Sequence, residues 1–269
     1  MSQFPLTQEE LMSQAPALFT EEPYCDVSDK YHFIPTIDVI NEIKKNNWYP
    51  VSVSEAKVRD EDKEGYQQHL VRFRHFDDLL LAPENAVELL LFNSHDRSKS
   101  FSISAGIYRF VCSNGLVIAD SVFESYKIKH LGDRENDVAR AVANITAIKP
   151  KLVEKIETLE SIQLSQLEKE SFARSATPLR FEKHLKVDYA DLLVPHREED
   201  TKDNLYTTLN VIQENLLRGN ISGVNNITGR RFTSKEITSI SKDVEVNQGL
   251  WDIAERIASI KEPQMALAA

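Results

Sequence analysis

Apolar residues recur at helical intervals near the start of the chain, alternate with polar ones through most of the first half, and return to helical spacing after Gly132. Thr7 stands three residues before Glu10, the spacing of a capping box, and Leu11, Met12, Ala15 and Leu18 follow on one stripe. This predicts a short amphipathic helix within Leu6 to Phe19, despite Pro16. Pro35-Thr36 opens a second helix, with Ile37, Ile40 and Ile43 turned inward and Asn46-Asn47 closing it. From Trp48 the texture is that of strands. Val51-Ser52-Val53 and Val71-Arg72-Phe73-Arg74-His75-Phe76 alternate, and Val87 to Phe92 is a continuous apolar run. Phe101-Ser102-Ile103, Ile107 to Cys112 and Leu116 to Ile118 follow, mostly at hairpin-length separations, which predicts an antiparallel sheet.

Past Gly132 the strand pattern stops. Asp133 is the expected N-cap of a helix over 133–172, carried by a stripe from Val138 through Ile145, Leu152 and Leu159 to Leu167 and kinked or split at Pro150. A further helix covers Asn204 to Leu217, with Leu205, Leu209, Ile212 and Leu216 on one face and Gly219 as its stop. Asn220 to Arg231 is expected as a loop. Asn247 is expected to cap a last helix bearing Leu250, Trp251, Ala254 and Ile257, with a frayed tail after Pro263. The predicted class is α+β: a mainly antiparallel sheet in residues 1–132 and a helical region in residues 133–269, either packed on the sheet or continuous with it. The stripe of the long helix outruns such a sheet, which predicts a homo-oligomer.

Composition narrows the picture. Of 269 residues 41% are hydrophobic and 28% charged, enough for a packed core. No apolar run reaches the roughly 18 residues of a membrane span, and Met1-Ser2-Gln3-Phe4-Pro5 lacks the layout of a signal peptide. The expected setting is therefore the cytoplasm, with Cys25 and Cys112 as reduced thiols and no membrane partner. The net charge of -10 argues against a protein that coats nucleic acid by bulk charge. The charge is unevenly spread. Residues 1–64 hold thirteen acids against six bases, whereas residues 215–242 hold Arg218, Arg230, Arg231, Lys235 and Lys242 against Glu236 alone. A second basic island runs from Arg97 and Lys99 through Arg109 to Lys129. Screening over about 10 Å lets such islands bind an anion locally.

The densest unusual stretch runs from Asn93-Ser94-His95-Asp96 through Tyr108-Arg109-Phe110-Val111-Cys112 to Asn114-Gly115. Ser94 to Ser98 is expected as a polar turn whose amides and nearby bases hold a phosphate, and Asn114-Gly115 as a tight turn at positive φ. Arg72 and Arg74 alternate with Val71 and Phe73, so they would leave one strand face and track a phosphate backbone, while Tyr108 stacks a base. The bland alternative pairs these arginines with Asp77, Asp78 or Glu88.

These motifs, together with Leu6-Thr7-Gln8-Glu9-Glu10-Leu11-Met12, Tyr31 to Thr36, Gln213-Glu214-Asn215-Leu216-x-Arg218-Gly219, Gly229-Arg230-Arg231 and Asn247-x-x-Leu250-Trp251-x-x-Ala254-Glu255, carry a family resemblance. The chain resembles the phage- and plasmid-related family of unknown function numbered nine-three-two, in its YfjQ/YafZ-like prophage and plasmid branch. The resemblance implies a setting among mobile-element cargo, beside DNA-processing, antirestriction and toxin–antitoxin genes, and it transfers no residue roles.

The favoured function is non-catalytic DNA binding for a mobile element, similar to single-strand annealing proteins and with single strands preferred. Arg72, Arg74, Arg97, Lys99 and Arg109 would meet phosphates, Tyr108 would stack a base, and Arg218, Arg230 and Arg231 would form a second clamp. Asn93, Ser94, Asn114 and Gly115 would shape the hairpins that present them. The alternative is an inhibitor that contacts a host defence protein through the acidic N-terminal region. An enzyme using Cys112 with His95 and Asp96 is less favoured, because a cysteine in an apolar strand is ordinarily a small core residue. His95 and Asp96, joined by Glu88, are the candidate ligands of a metal site. However, His32, His69, His75, His95, His130, His184 and His196 show no paired ligand spacing, so no metal is expected. Nor is any cofactor, for want of a phosphate-binding glycine motif.

Overall fold

Thr7 caps the first helix, α1 (Gln8–Gln14), as its spacing predicts. The Thr7 hydroxyl accepts from the Glu10 amide at 3.2 Å, and the Glu10 carboxylate accepts from the Thr7 amide at 2.7 Å. Pro16 cannot continue the helix and instead begins a separate 3-10 turn, Pro16–Phe19. The computed structural model describes residues 4–24, 33–58, 61–81, 84–96, 101–110, 114–117, 126–127 and 134–268. Helix α2 (Thr36–Lys45) buries Val39, Ile40 and Ile43 and ends at Asn47, whose φ of 61° turns the chain into the sheet.

Strands β1 (Trp48–Glu55) and β2 (His69–His75) pair antiparallel. Phe76, which continues the alternation of β2, instead starts the short helix α3 (Phe76–Leu81); its amide donates to the Asn47 carbonyl at 2.8 Å. Strands β3 (Asn85–Asn93) and β4 (Ser102–Arg109) complete an antiparallel meander, and the two strands expected over 101–103 and 107–112 are one. β5 (Asn114–Val117) follows β4 in the sheet order, and β6 (Tyr126–Lys127) pairs with Ile103 and Ser102. Asn114 and Gly115 thus open a strand rather than form the expected tight turn.

The helix expected over 133–172 is two helices. α4 (Arg134–Ser161) continues through Pro150, and Trp48 Nε1 donates to Thr146 on it at 3.0 Å. The break comes where Gln163 bridges Asn204, the Leu164 amide donates to Asp203 and the Leu205 amide donates to Ile162. Ser165 then caps α5 (Gln166–Ala176) in a second capping box, with Glu168. The expected N-cap Asp133 lies outside the described residues. Leu152, Ile156 and Leu159 are buried within the chain itself.

Strands do not stop in the second half. β7 (Leu185–Val187), β8 (Ser222–Asn225) and β9 (Arg231–Thr233) form a small antiparallel sheet in that order, so the loop expected over 220–231 is a hairpin. Between β7 and β8 lies α6 (Leu205–Arg218), buried at every position from Leu205 to Leu216 and capped by Asn204, whose side chain accepts from the Thr207 amide at 2.7 Å. The last helix, α7 (Ile240–Ala268), starts upstream of its expected cap, so that Asn247 and Pro263 both lie inside it.

The described residues fall into two compact units. One lies within Met1–Gly115 and Ser121–Lys149, the other within Leu116–Asp120 and Pro150–Ala269. The division falls inside α4. No helix among the described residues is long and apolar enough to cross a membrane.

Gly219 ends α6 with φ 80°. A Cβ there would stand 2.7 Å from the Lys235 carbonyl carbon and oxygen and 2.8 Å from the Ser234 oxygen, all backbone atoms with little room to move. Gly219→Ala is expected to cost about 2–3 kcal/mol, from left-handed strain and this clash together. A shift of the urea midpoint no larger than that of an exposed helix substitution would contradict it.

Candidate functional site

The two arginines of β2 turn inward. Arg72 is 4% exposed and Arg74 1%, and between them lies Glu88 of β3, fully buried. Arg72 Nη1 donates to Glu88 Oε2 and Arg74 Nε to Glu88 Oε1, each at 2.9 Å. The register explains the meeting, since Arg74 faces Glu88 directly across β2 and β3 and Arg72 is its diagonal neighbour on the same face. Tyr108 of β4 is also buried. Its ring centroid lies 3.8 Å from the Arg74 guanidinium carbon, and that of Phe110 lies 4.6 Å away. This corrects the expectation that Arg72 and Arg74 track phosphates while Tyr108 stacks a base: the bases meet a carboxylate and the tyrosine meets an arginine. Arg109 is likewise buried, on the opposite face of β4. Arg97, Lys99 and Cys112 lie outside the described residues.

The Asn93-Ser94-His95-Asp96 motif is a buried bonding centre around Thr36, the first residue of α2. Asn93 Nδ2 donates to Thr36 Oγ1 at 2.9 Å, and the Asn93 side-chain oxygen accepts from the Ser94 amide. His69 Nδ1 donates to the Gln67 carbonyl at 3.0 Å, which leaves its Nε2 to accept from the Thr36 hydroxyl at 2.8 Å. His95 Nε2 stands 3.3 Å from the same oxygen. The ring centroids of the two histidines are 5.2 Å apart. Burial drives His69 down to about 3, helped by neighbouring His95, and burial drives His95 down to about 4 against the opposing pull of its Ala17 backbone bond and of Asp96. Both rings are therefore neutral at neutral pH. The amides of His95 and Asp96, expected to hold a phosphate, already donate to the Tyr66 carbonyl at 2.9 and 3.0 Å. Asp96 pairs with Lys63 at 3.7 Å. With Glu88 held by two arginines and His95 by Thr36, these residues form no metal site. Among the described residues no group of three His, Cys, Asp or Glu side chains could hold an ion.

The Gln213-Glu214-Asn215 run on α6 is equally occupied. Gln213 bonds Asn247, and Asn215 donates to the carbonyls of Leu192 and Val194 while bonding His196. Glu214 receives both terminal nitrogens of Arg197, at 2.7 and 2.8 Å. Arg218 is 54% exposed, but its Nη1 lies 2.7 Å from Glu214, which makes it a strut of α6 rather than an open clamp.

What remains available is the small sheet. Cross-strand pairing sets Lys186, Val224 and Arg231 in one row across β7, β8 and β9, with Ser222 and Thr233 in the next row on the same face. All five are exposed, and they line an open cleft of about 870 Å³. Asp188, on the rim, is engaged through one carboxylate oxygen by the Ala190 amide. The opposite row packs Phe232 over Gly223, where a Cβ would sit 2.6 Å from the ring. Arg230 is exposed beside Arg231. Among the described residues no ion pair engages Lys186, Arg230 or Arg231, and the chain carries no acid from Leu216 to Ser234. Lys186 was missed in the sequence, because nothing in Leu185-Lys186-Val187 marks a strand that pairs with a hairpin forty residues on.

These features describe an α+β protein whose conspicuous buried polar motifs bond one another and whose small second sheet presents Lys186, Arg230 and Arg231 in the open. The chain belongs to the family described as "Domain of unknown function (DUF932)", which matches residues 24–251. It is 32% identical over 254 residues to the UPF0380 protein YafZ and, over the same length, to the UPF0380 protein YfjQ, both of Escherichia coli strain K12. Each alignment covers 94% of this chain and 92% of the relative. No solved structure matches the chain.

Proposed function

We propose that this protein binds single-stranded nucleic acid without catalysis, in the service of a mobile element, and that the contact surface is the β7–β9 sheet. The observation that carries this reading is the row of Lys186 and Arg231 flanking Val224 on an open face with Asp188 at its rim, and Arg230 exposed next along the chain. Adjacent strands lie about 4.8 Å apart, so the two cations of the row are separated by roughly 10 Å at the backbone. Local binding of this kind is compatible with an acidic protein, since charges beyond a Debye length of about 10 Å are screened. The mobile-element setting rests on the family resemblance alone. Absence of catalysis is inferred from the candidate nucleophile partners: His95, Asp96 and Glu88 are each committed to bonds inside the first unit.

The test is fluorescence anisotropy with a labelled oligonucleotide across a salt series. Three phosphate contacts on a single strand predict a slope of log affinity against log salt near -2, from about -0.7 per phosphate. Combined charge reversal at Lys186, Arg230 and Arg231 is expected to weaken binding by about 100-fold or more, with the melting curve unchanged. Undiminished affinity in that variant would remove the sheet as the contact surface.

A further inference from the structure

The tip of the β8–β9 hairpin carries a residue that its turn does not require. Asn225 faces Arg230 across the hairpin, and its side-chain oxygen accepts from the amides of Ile227 and Thr228 at 2.9 and 3.1 Å. The Gly229 amide donates to the Asn225 carbonyl at 2.8 Å, and Gly229 takes φ 67° with open space where a Cβ would be. The Asn226 amide donates to the His184 carbonyl at 2.8 Å, which ties the turn to the chain just before β7. Every specialised turn position is thus filled by Asn or Gly, as turn chemistry asks. The residue between them is Ile227, a stiff β-branched side chain that is 78% exposed. A lone exposed aliphatic is ordinary on a protein surface. Here, however, it crowns a bonded turn that leads directly into the exposed Arg230 and Arg231.

We propose that Ile227 is a wedge that enters between adjacent bases while Arg230 and Arg231 hold the flanking phosphates. The inference rests on the nucleic-acid reading of the same sheet and adds the mode of contact: base unstacking by an aliphatic tip, with no base-specific hydrogen bond. Apolar side chains inserted at base steps are a recurrent device of proteins that read no sequence there. A bonded turn and a β-branched side chain keep the ordering cost of insertion low. The ligand class that follows is a flexible single strand, whose bases separate more easily than those of a paired duplex.

The experiment uses the full chain and an oligonucleotide with 2-aminopurine at a central position, a base analogue whose fluorescence rises on unstacking. The protein is expected to raise the signal at least about twofold at saturation. Ile227→Ala should abolish that rise, weaken affinity by only about three- to tenfold, and leave the salt slope intact, because the phosphate contacts remain. Ile227→Leu should restore the rise. An Ile227→Ala protein with the wild-type fluorescence change would overturn the wedge while leaving nucleic-acid binding in place. If the wild-type protein bound no oligonucleotide at all, the function proposed for the sheet would fail, and the wedge with it.

Discussion

Glu88→Gln is expected to lower the unfolding free energy by about 3–5 kcal/mol, the range for removing one partner of a buried ion pair. The carboxylate serves two guanidinium groups at once, at 2.9 Å each, and water cannot replace it at a site where all three side chains are almost fully enclosed. The neutral amide keeps the shape and one acceptor but brings donors toward donors, so both arginines lose their counter-charge in a poorly solvated place. At about 2–4 °C per kcal/mol for a protein of this size, the melting temperature should fall by about 10 °C. Replacing the whole centre separates charge from volume. With Arg72 and Arg74 changed to Met and Glu88 to Leu, most of the loss should be recovered, since apolar groups of similar size need no partner. A Glu88→Gln protein within 1 kcal/mol of wild type by urea titration would show that the pair contributes little.

Acidification from pH 7.5 to 4.5 is expected to remove on the order of 2 kcal/mol of stability for each of His69 and His95, beyond the loss from carboxylates. Unfolded, both imidazoles take up a proton near pH 6.5; folded, they resist until pH falls to about 4 for His95 and about 3 for His69. Between those values the unfolded state holds more protons, so stability rises with pH. It is complete above about 6.5 and is lost toward 4, at about 1.4 kcal/mol per pH unit per site. The structural cause is burial, which penalises the charged form of both rings, with the neighbouring His95 adding to the effect on His69. His69→Gln and His95→Gln should each flatten the pH dependence by about one proton, whatever they do to stability at pH 7.5. Equal slopes in wild type and both variants, measured by urea titration at several pH values, would place the acid sensitivity elsewhere.

Much of the architecture is local and was therefore legible along the chain. Thr7 and Glu10 needed only each other to mark a helix start, and Asn204 with Gly219 bracketed α6 within one residue at each end. The same rule was present at Ser165 and Glu168, where it marks the start of α5, yet the continuing apolar stripe suggested one long helix. The stripe continued because both helices bury a face, and periodicity alone does not register a four-residue interruption. Pro150 does not split the helix, since α4 continues through it.

The sites were less legible. Alternation correctly separated Arg72 and Arg74 from Val71 and Phe73, but it carries no information on which sheet face is covered, and in this sheet both are. The partner Glu88 was visible as a nearby acid, whereas its equal sharing between two arginines depends on the β2–β3 register. Likewise the Asn93-Ser94-His95 motif drew attention as chemistry, although its function in the fold is to hold Thr36 in place.

By itself, the sequence determined the α+β class, the antiparallel sheet, the caps at Thr7 and Asn204 and the family, because each depends on residues a few positions apart or on order along the chain. Only the tertiary structure decided which cations are open. Whether a guanidinium meets water or a carboxylate is set by strand register and by what covers a face, and both join residues far apart in the chain. The same packing that enclosed Arg72 and Arg74 left Lys186, Arg230 and Arg231 exposed.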